Sequence, residues 1–469
     1  MKSEIVVIGA GASGLMAAYA AADCMNKQGG SAQVTLIEKM PRPGRKIMIT
    51  GKGRCNFTNL KSWNDFSSHI RTKSNFVKSA FYNLSSEAVL DFFDSYGMSY
   101  VVERGDRAFP SSYHASDVVD TLVNACYSRG VKILTSLAVE SVSRVNNKYF
   151  LNSSVVDKEV FELKLSDGEN CYAQRLIIAT GGLSYPTTGS TGDGYEWAKS
   201  MGHTIATLFP SLTALVPRGY KEESVVPETD LKFHIPRETS LSEYGKKLCG
   251  VHLKNVQLTM MVEGSVAAEE FGDVDFTDGG LEGPIGFQIS RKAVKSLING
   301  SRVKVSLDLK SGIDLTELTL RIKQLWAEID KDPRSKRLKE KERCRILLGK
   351  LIPWDLIPAF VASNPNIYTL ERRSRNETKL WVNLVTIAKA LKAWEMDIVG
   401  YVGYERAVVT AGGVATEELL AKNMSSRIVP GLYFCGEVLD VDADTGGYNL
   451  QCAFSTGALA GQSAAKSLI

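Results

Sequence analysis

The two ends of the chain carry glycine-rich segments that read as parts of one site. Residues 4–14 are Glu-Ile-Val-Val-Ile-Gly-Ala-Gly-Ala-Ser-Gly, and residues 435–451 are Cys-Gly-Glu-Val-Leu-Asp-Val-Asp-Ala-Asp-Thr-Gly-Gly-Tyr-Asn-Leu-Gln. Ile5–Ile8 is an uninterrupted apolar run, as in a parallel strand covered on both faces. Gly9 allows a tight turn, Gly11 lets the backbone approach a pyrophosphate, and Gly14 permits close packing of helix on strand. An alanine-rich helix from about Ser13 to Met25 follows, and the N–H groups of its first turn, with Ala12 and Ser13, point at phosphate. A second strand, Val34–Ile37, ends in Glu38, 24 residues beyond Gly14. An acid there accepts hydrogen bonds from ribose hydroxyls, with Lys39 beside it. Strand, loop, helix, strand and acid in this order form a dinucleotide cradle. A chain that returns after about 400 residues to cap the same long ligand fits an FAD-binding oxidoreductase.

Bulk properties exclude other classes. At 469 residues, the chain is too long for one ordinary core, so two or three domains are expected. Its 44% hydrophobic and 23% charged content is that of a globular protein. No run of 18 apolar residues occurs, which excludes a helical membrane span on length. The first strand begins at once and leaves no room for a signal peptide, so a cytoplasmic location is expected. A net charge of +4 is mild for this size and gives no reason to expect nucleic acid. The densest basic stretch, Lys331–Lys350, reads as a solvated helical face. The eight cysteines form no CxxC pair, and the five histidines show no metal-ligand spacing, so no metal is expected. Cys55 and Cys435, inside glycine-rich motifs, read as structural thiols.

Between the two ends lie further cofactor signals. Residues 40–59 form a loop rich in glycine, arginine and asparagine, in which Arg45, Lys46, Gly53, Arg54, Asn56 and Asn59 make an anion-friendly surface. Helices are expected over 86–98 and 116–129 and a strand over 131–134, leading into 138–142, where the backbone at Val139 meets the adenine in flavoproteins of this type. A β-meander follows and ends in Arg175-Leu-Ile-Ile-Ala-Thr-Gly-Gly182, where the backbone of Ala179, Thr180 and Gly181 turns against the cofactor. The glycine-rich loop 183–194 follows no new βαβ start, so it is not a second nucleotide fingerprint. From about 202 to 408 the pattern changes, with strands at 212–216, 250–262 and 302–309 and a charged helical region over 314–395. Trp326, Trp354, Trp381 and Trp394 are expected to form the core of that region. The cofactor domain resumes at Ala407, and its last motif supplies Gly436, Glu437, Gly446, Gly447, Tyr448, Asn449 and Leu450. A helix beginning near Tyr448–Asn449 would aim its N–H groups at the flavin edge that becomes negative on reduction.

On these residues the chain closely resembles the BaiN and aminoacetone-oxidase-like family of bacterial NAD(P)/FAD-dependent oxidoreductases. The matching motifs are Gly44–Asn59, Ala179–Gly194, Phe276–Ser290, Val409–Val414 and Leu432–Gln451, which span nearly the whole chain. The resemblance implies an α/β fold: a glutathione-reductase-type FAD-binding Rossmann-like domain with an inserted β-domain and a small helical domain. The expected boundaries are 1–201 and 408–469 for the FAD domain, 202–312 and 396–407 for the β-domain, and 313–395 for the helical subdomain. It also implies FAD, with NAD(P)H as a transient co-substrate; the motifs themselves predict one non-covalent FAD per chain. Two departures stand out. The family often has Phe-Thr-His-x-Gly-x-Ser-Gly-Pro where this chain has Phe276-Thr-Asp278-Gly-Gly-Leu-Glu282-Gly-Pro284, and Asp-Val-Asp-Gly where this chain ends in Ala443.

The expected function is hydride transfer at the flavin to or from a small organic substrate. The alternatives are an amine-type oxidase using O2 and an RNA-modifying flavoprotein. Tyr185, Asp278, Glu282 and Tyr448 are the candidate proton donors. The insertion is expected to cover the substrate side, with the Asp278–Pro284 loop as part of its wall or, alternatively, as a tight turn between two β-elements.

Overall fold

The structure is a computed structural model that describes residues 1–29, 33–150, 159–222, 233–372 and 378–468. The chain divides into two units, Met1–Pro210 with Val408–Ile469, and Ser211–Ala407.

The first unit is built on a sheet whose central strands are all parallel. Strand β1 (Lys2–Ile8) lies between β2 (Val34–Ile37) and a later strand, and helix α1 (Ala12–Lys27) makes the crossover from β1 to β2. Helix α2 (Ala115–Ser128) leads to β3 (Lys132–Leu134), which pairs in parallel with β2. An antiparallel meander follows, β4 (Val139–Asn146), β5 (Glu159–Leu165) and β6 (Asn170–Ile178), and β6 enters the sheet beside β1. Ile5–Ile8 and Leu176–Ile178 are almost inaccessible to solvent, which explains why these strands read as continuous apolar runs. Strand β7 (Ile205–Ser211) pairs outside this sheet with a strand of the C-terminal segment.

The second unit contains a closed six-stranded barrel. Its strands are β8 (Leu215–Pro217), β9 (His252–Val262), β10 (Ser265–Thr277), β11 (Gly280–Glu282), β12 (Val303–Asp308) and, after the helical region, β15 (Trp394–Tyr401). The barrel closes in the order β8-β11-β10-β9-β12-β15. Helix α3 (Gly283–Ile298) follows β11. The helical region carries α4 (Leu315–Lys331) and α5 (Glu340–Gly349), and also a hairpin, β13 (Tyr368–Arg372) with β14 (Thr378–Val382), which the sequence reading did not anticipate. The expected tryptophan core is corrected as well. Trp394 is buried, but Trp354 and Trp381 are 53% and 39% exposed, and only Trp394 lies deep in the unit.

The chain then returns through β16 (Val409–Val414), the partner of β7, and β17 (Leu432–Phe434), which pairs in parallel with β6. The last helix, α6 (Tyr448–Lys466), lies along α1. The seam between these helices admits no side chain. A Cβ on Gly457 would sit 2.3 Å from the Ser13 carbonyl oxygen, and one on Gly461 would sit 2.1 Å from that of Ala17. Gly461→Leu is therefore expected to force the two helices apart, at about 1–3 kcal/mol for overpacking. Urea unfolding should show a lower midpoint with an unchanged slope.

Candidate functional site

Parallel register brings the motifs together. Ile8 pairs with Ile37 on one side and Ile178 on the other, and Ile178 pairs with Phe434. Four strands thus end in one row, and Gly9, Glu38, Ala179 and Cys435 are the residues that follow them. A cavity opens there, wholly within the first unit. Of the cofactor residues expected from sequence, its wall contains Gly9, Gly11, Ala12, Ser13, Glu38, Lys39, Arg45, Lys46, Val139, Ala179, Thr180, Gly181, Gly436, Glu437, Asn449 and Leu450. Gly9 has φ of 98°, and a Cβ there would meet the Ala179 carbonyl oxygen at 2.6 Å, so only glycine makes this turn.

Two carboxylates organise the wall. Glu38 accepts from the Ala10 N–H (2.8 Å) and the Met40 N–H (2.8 Å), which fixes both oxygens beside the cradle. Burial pushes its pKa up, opposed by these two hydrogen bonds and by Lys39 and Arg45. Each carboxylate oxygen has a further acceptor site, so Glu38 can still take ribose hydroxyls. Glu437 accepts from Lys46 Nζ (2.6 Å), Ser184 Oγ (2.6 Å) and the Thr410 N–H (2.9 Å). It ties the loop after β2, the loop after β6 and the start of β16 to the C-terminal motif. Across the opening, Lys39 pairs with Asp193 at 2.6 Å.

Eight expected cofactor residues support the wall without forming it. Gly14 packs helix on strand, because a Cβ there would lie 1.8 Å from the Gly9 carbonyl oxygen. Gly53 is a turn residue at φ of 87°. Arg54 is directed elsewhere: it pairs with Glu103 at 2.5 Å and stacks over Tyr113 and Phe109. Asn56 and Asn59 brace the start of α6. Asn59 Nδ2 donates to the Gly446 carbonyl at 3.0 Å, and a Cβ on Gly447 would lie 2.8 Å from Asn56 Oδ1. Tyr448, buried at the first turn of α6, stacks on His69 with ring centroids 4.3 Å apart. His69 and the bidentate Arg71 both bind the buried carboxylate of Asp444. Burial and that carboxylate push the Tyr448 hydroxyl up to about 12.

The other proton-donor candidates are also placed. Tyr185 is half-buried with φ of 53°, at the start of the turn that brings Thr188 and Gly189 to the cavity. Asp278 and Glu282 belong to the second unit. Asp278-Gly279 is the two-residue turn between β10 and β11, which matches the tight-turn alternative. Arg406 binds Glu282 through Nε at 2.6 Å and Asp278 through Nη1 at 2.9 Å, and Arg237 adds a second contact to Asp278. Although burial opposes it, the two guanidinium groups hold Asp278 below the usual carboxylate range. Both side chains are therefore engaged by Arg406 rather than free to act as proton donors. Cys55 and Cys435 are fully buried thiols pushed up to about 12, away from the cavity wall.

The sequence reading missed Arg42, Thr188, Gly189, Ser190, Asp193 and Trp197 on the wall. Most come from the glycine-rich loop 183–194. The loop follows no βαβ start, so its place on this wall does not show in the sequence.

The residues fit a bound dinucleotide. Thr180 Oγ1, on the wall, and Asn56 Oδ1, behind it, are buried without a hydrogen-bond partner among the described residues. An unpaired buried hydroxyl beside a glycine cradle suits a polar ligand. A family model described as the HI0933-like protein Rossmann domain matches residues 3–463. The chain belongs to that family. It is 31% identical over 464 residues to a protein of Clostridium scindens named 3-dehydro-bile acid delta(4,6)-reductase, covering 99% of each chain. It is 31% identical over 455 residues to a Haemophilus influenzae protein named ribosomal RNA dihydrouridine synthase, covering 97% of this chain and 96% of the relative. Among solved structures, the 3-ketosteroid delta1-dehydrogenase of Sterolibacterium denitrificans is similar at 13% identity, with a TM-score of 0.45, over 99% of this chain and 100% of that one. The family resemblance drawn from the motifs is confirmed, and the chain is an oxidoreductase of the flavoprotein type. No helix among the described residues is long and apolar enough to cross a membrane.

Two variants probe the clamps. Glu437→Ala removes an acceptor shared by three donors and leaves Lys46 with Ser184 Oγ but without its carboxylate, which should cost about 2–3 kcal/mol. Arg406→Met leaves Glu282 buried and charged in the second unit, at about 3 kcal/mol or more. Denaturant unfolding followed by tryptophan fluorescence should report both losses.

Proposed function

We propose that this protein is an FAD-dependent reductase that saturates a carbon–carbon double bond conjugated with a carbonyl, with NAD(P)H as the electron donor. The observation that carries this reading is the single cavity wall shared by the N-terminal glycine cradle, Glu38 and the first turn of α6. The bound flavin supplies a carrier that accepts hydride from a donor and passes it to a substrate.

The chain's own residues bind and polarise. The first turn of α1 presents free N–H groups to a pyrophosphate, with Arg42 and Arg45 adding positive charge. Glu38 holds the adenosine ribose, and Thr180 offers its unpaired hydroxyl. The start of α6 stabilises negative charge by about 0.3–1 kcal/mol, and up to about 2 when partly buried. Asn449 fixes that start: its side chain accepts from the Ala443 N–H and donates to the Ala443 and Asp444 carbonyls. Tyr185 is the candidate proton donor in this scheme.

The names of the two relatives support the reaction class. One reduces a 3-dehydro-bile acid at its delta(4,6) positions and the other makes dihydrouridine in ribosomal RNA. In chemical terms, each name describes adding two hydrogens across a ring double bond next to a carbonyl. A cyclic enone and a uracil ring therefore present the same reacting unit.

Two measurements test the reading. Acid denaturation should release free FAD at one per chain, and anaerobic NADH or NADPH should bleach the bound flavin, which enones or uridine then reoxidise. Failure of every conjugated alkene alongside rapid turnover of amines with O2 would favour the oxidase instead. Glu38→Ala should lower flavin occupancy, because a hydrogen bond to a charged group is worth about 1.5–3 kcal/mol. Full occupancy in that variant would remove Glu38 from the ribose.

A further inference from the structure

We propose that the helical part of the second unit is a docking surface for single-stranded RNA. The choice of RNA rests on the reaction proposed above, in which a uracil ring carries the required double bond; the surface itself does not depend on it.

Charge is segregated along the chain. Residues 313–395 contain 17 basic and 11 acidic residues, a net +6, although the whole chain is only +4. The acids near the basic stretch are already engaged. Asp330 and Glu340 bind Arg343, Asp332 binds Arg334, and Glu342 accepts from the Lys339 N–H at the start of α5. Lys336, Arg337, Lys339, Lys341 and Arg345 remain, all exposed and without an acidic partner among the described residues. Five uncompensated cations within ten residues do not reduce to a solvated face of alternating charge, which is how the sequence alone reads.

Aromatic rings stand among these cations. Lys341 and Arg345 lie one turn apart on α5, so they share a side of the helix. The Arg345 guanidinium is 6.0 Å from the Trp354 ring centroid, and Lys341 Nζ is 5.8 Å from that of Tyr368. Trp354 is 53% exposed yet seated: it lies against Gly349, where a Cβ would come within 2.4 Å of the ring. On the neighbouring hairpin, Trp381 is fixed by its Nε1–H bond to Glu371 (2.7 Å) and covered by Lys379 at 3.9 Å. Exposed, fixed rings interleaved with unpaired cations are what a single strand needs, since every base has a face to stack and every linkage a charge to neutralise.

The test measures binding to the full-length holoenzyme by fluorescence anisotropy with a labelled 20-nucleotide single-stranded RNA. No turnover is involved, so failure of binding and failure of the proposed reaction are distinguishable. Five phosphate contacts predict about a hundredfold loss of affinity between 50 and 200 mM salt. Arg337→Glu/Arg345→Glu should weaken binding by about tenfold or more. Lys254→Glu/Lys295→Glu, an equal charge change on exposed residues of the same unit outside 313–395, should leave it nearly unchanged. Trp354→Ala should weaken binding by about tenfold while retaining the salt dependence. Equal losses in the two charge variants, an unchanged affinity in Trp354→Ala, or equally tight binding of heparin would overturn the proposal.

Discussion

The site depends on the register of four parallel strands. Ile37, Ile8, Ile178 and Phe434 lie in one row. Neighbouring strands are about 4.8 Å apart, so the residues that follow them fall within roughly 15 Å. Segments more than 420 residues apart in sequence therefore meet at one end of the sheet. The same row explains the shared position of Ser13. It lies in the first turn of α1, its carbonyl receives Gly457 of the last helix, and its hydroxyl lies 2.2 Å from where a Cβ on Gly436 would stand. Backbone approach of this kind tolerates only glycine, which is why the two terminal motifs are so rich in it.

Charges play different parts in the two units. In the first, the Glu38 and Glu437 side chains are held mainly by backbone and hydroxyl donors at the rim of a cavity, with basic side chains on the same wall. That arrangement leaves room for a ligand's own phosphates and hydroxyls. In the barrel of the second unit, Arg406 consumes Asp278 and Glu282, and Lys221 spends its ammonium on the carbonyls of Pro236, Arg237 and Thr239. Those groups are structural, because each is engaged by partners of the same unit. The helical region differs from both: the acids within 330–342 are engaged, and Lys336, Arg337, Lys339, Lys341 and Arg345 have no acidic partner among the described residues.

Much of the cavity wall was legible in the sequence. Ile5–Ile8 reads as a buried parallel strand because both faces are covered, and Glu38 ends a strand whose length and spacing leave little choice of position. Gly9, Gly14 and Gly447 mark backbone that no other residue could follow. These are local signals, written in strand periodicity and in glycine, and they fix the order of elements.

Tertiary packing alone decided the rest. Arg54 and Asn56 stand in the same glycine-rich loop as Arg45 and Lys46, but left-handed turns at Lys52 and Cys55 send them away from the wall. Tyr448 begins the last helix as expected, yet its ring turns to His69 because Asp444, His69 and Arg71 lock that side of the loop. Asp278 and Glu282 look like free acids in sequence, because their partner Arg406 lies more than 120 residues away. Trp354 and Trp381 have the composition of a core and lie at the surface instead. Hydrophobic pattern tells a chain which residues prefer burial; which of them find a partner depends on elements that meet only in the folded state.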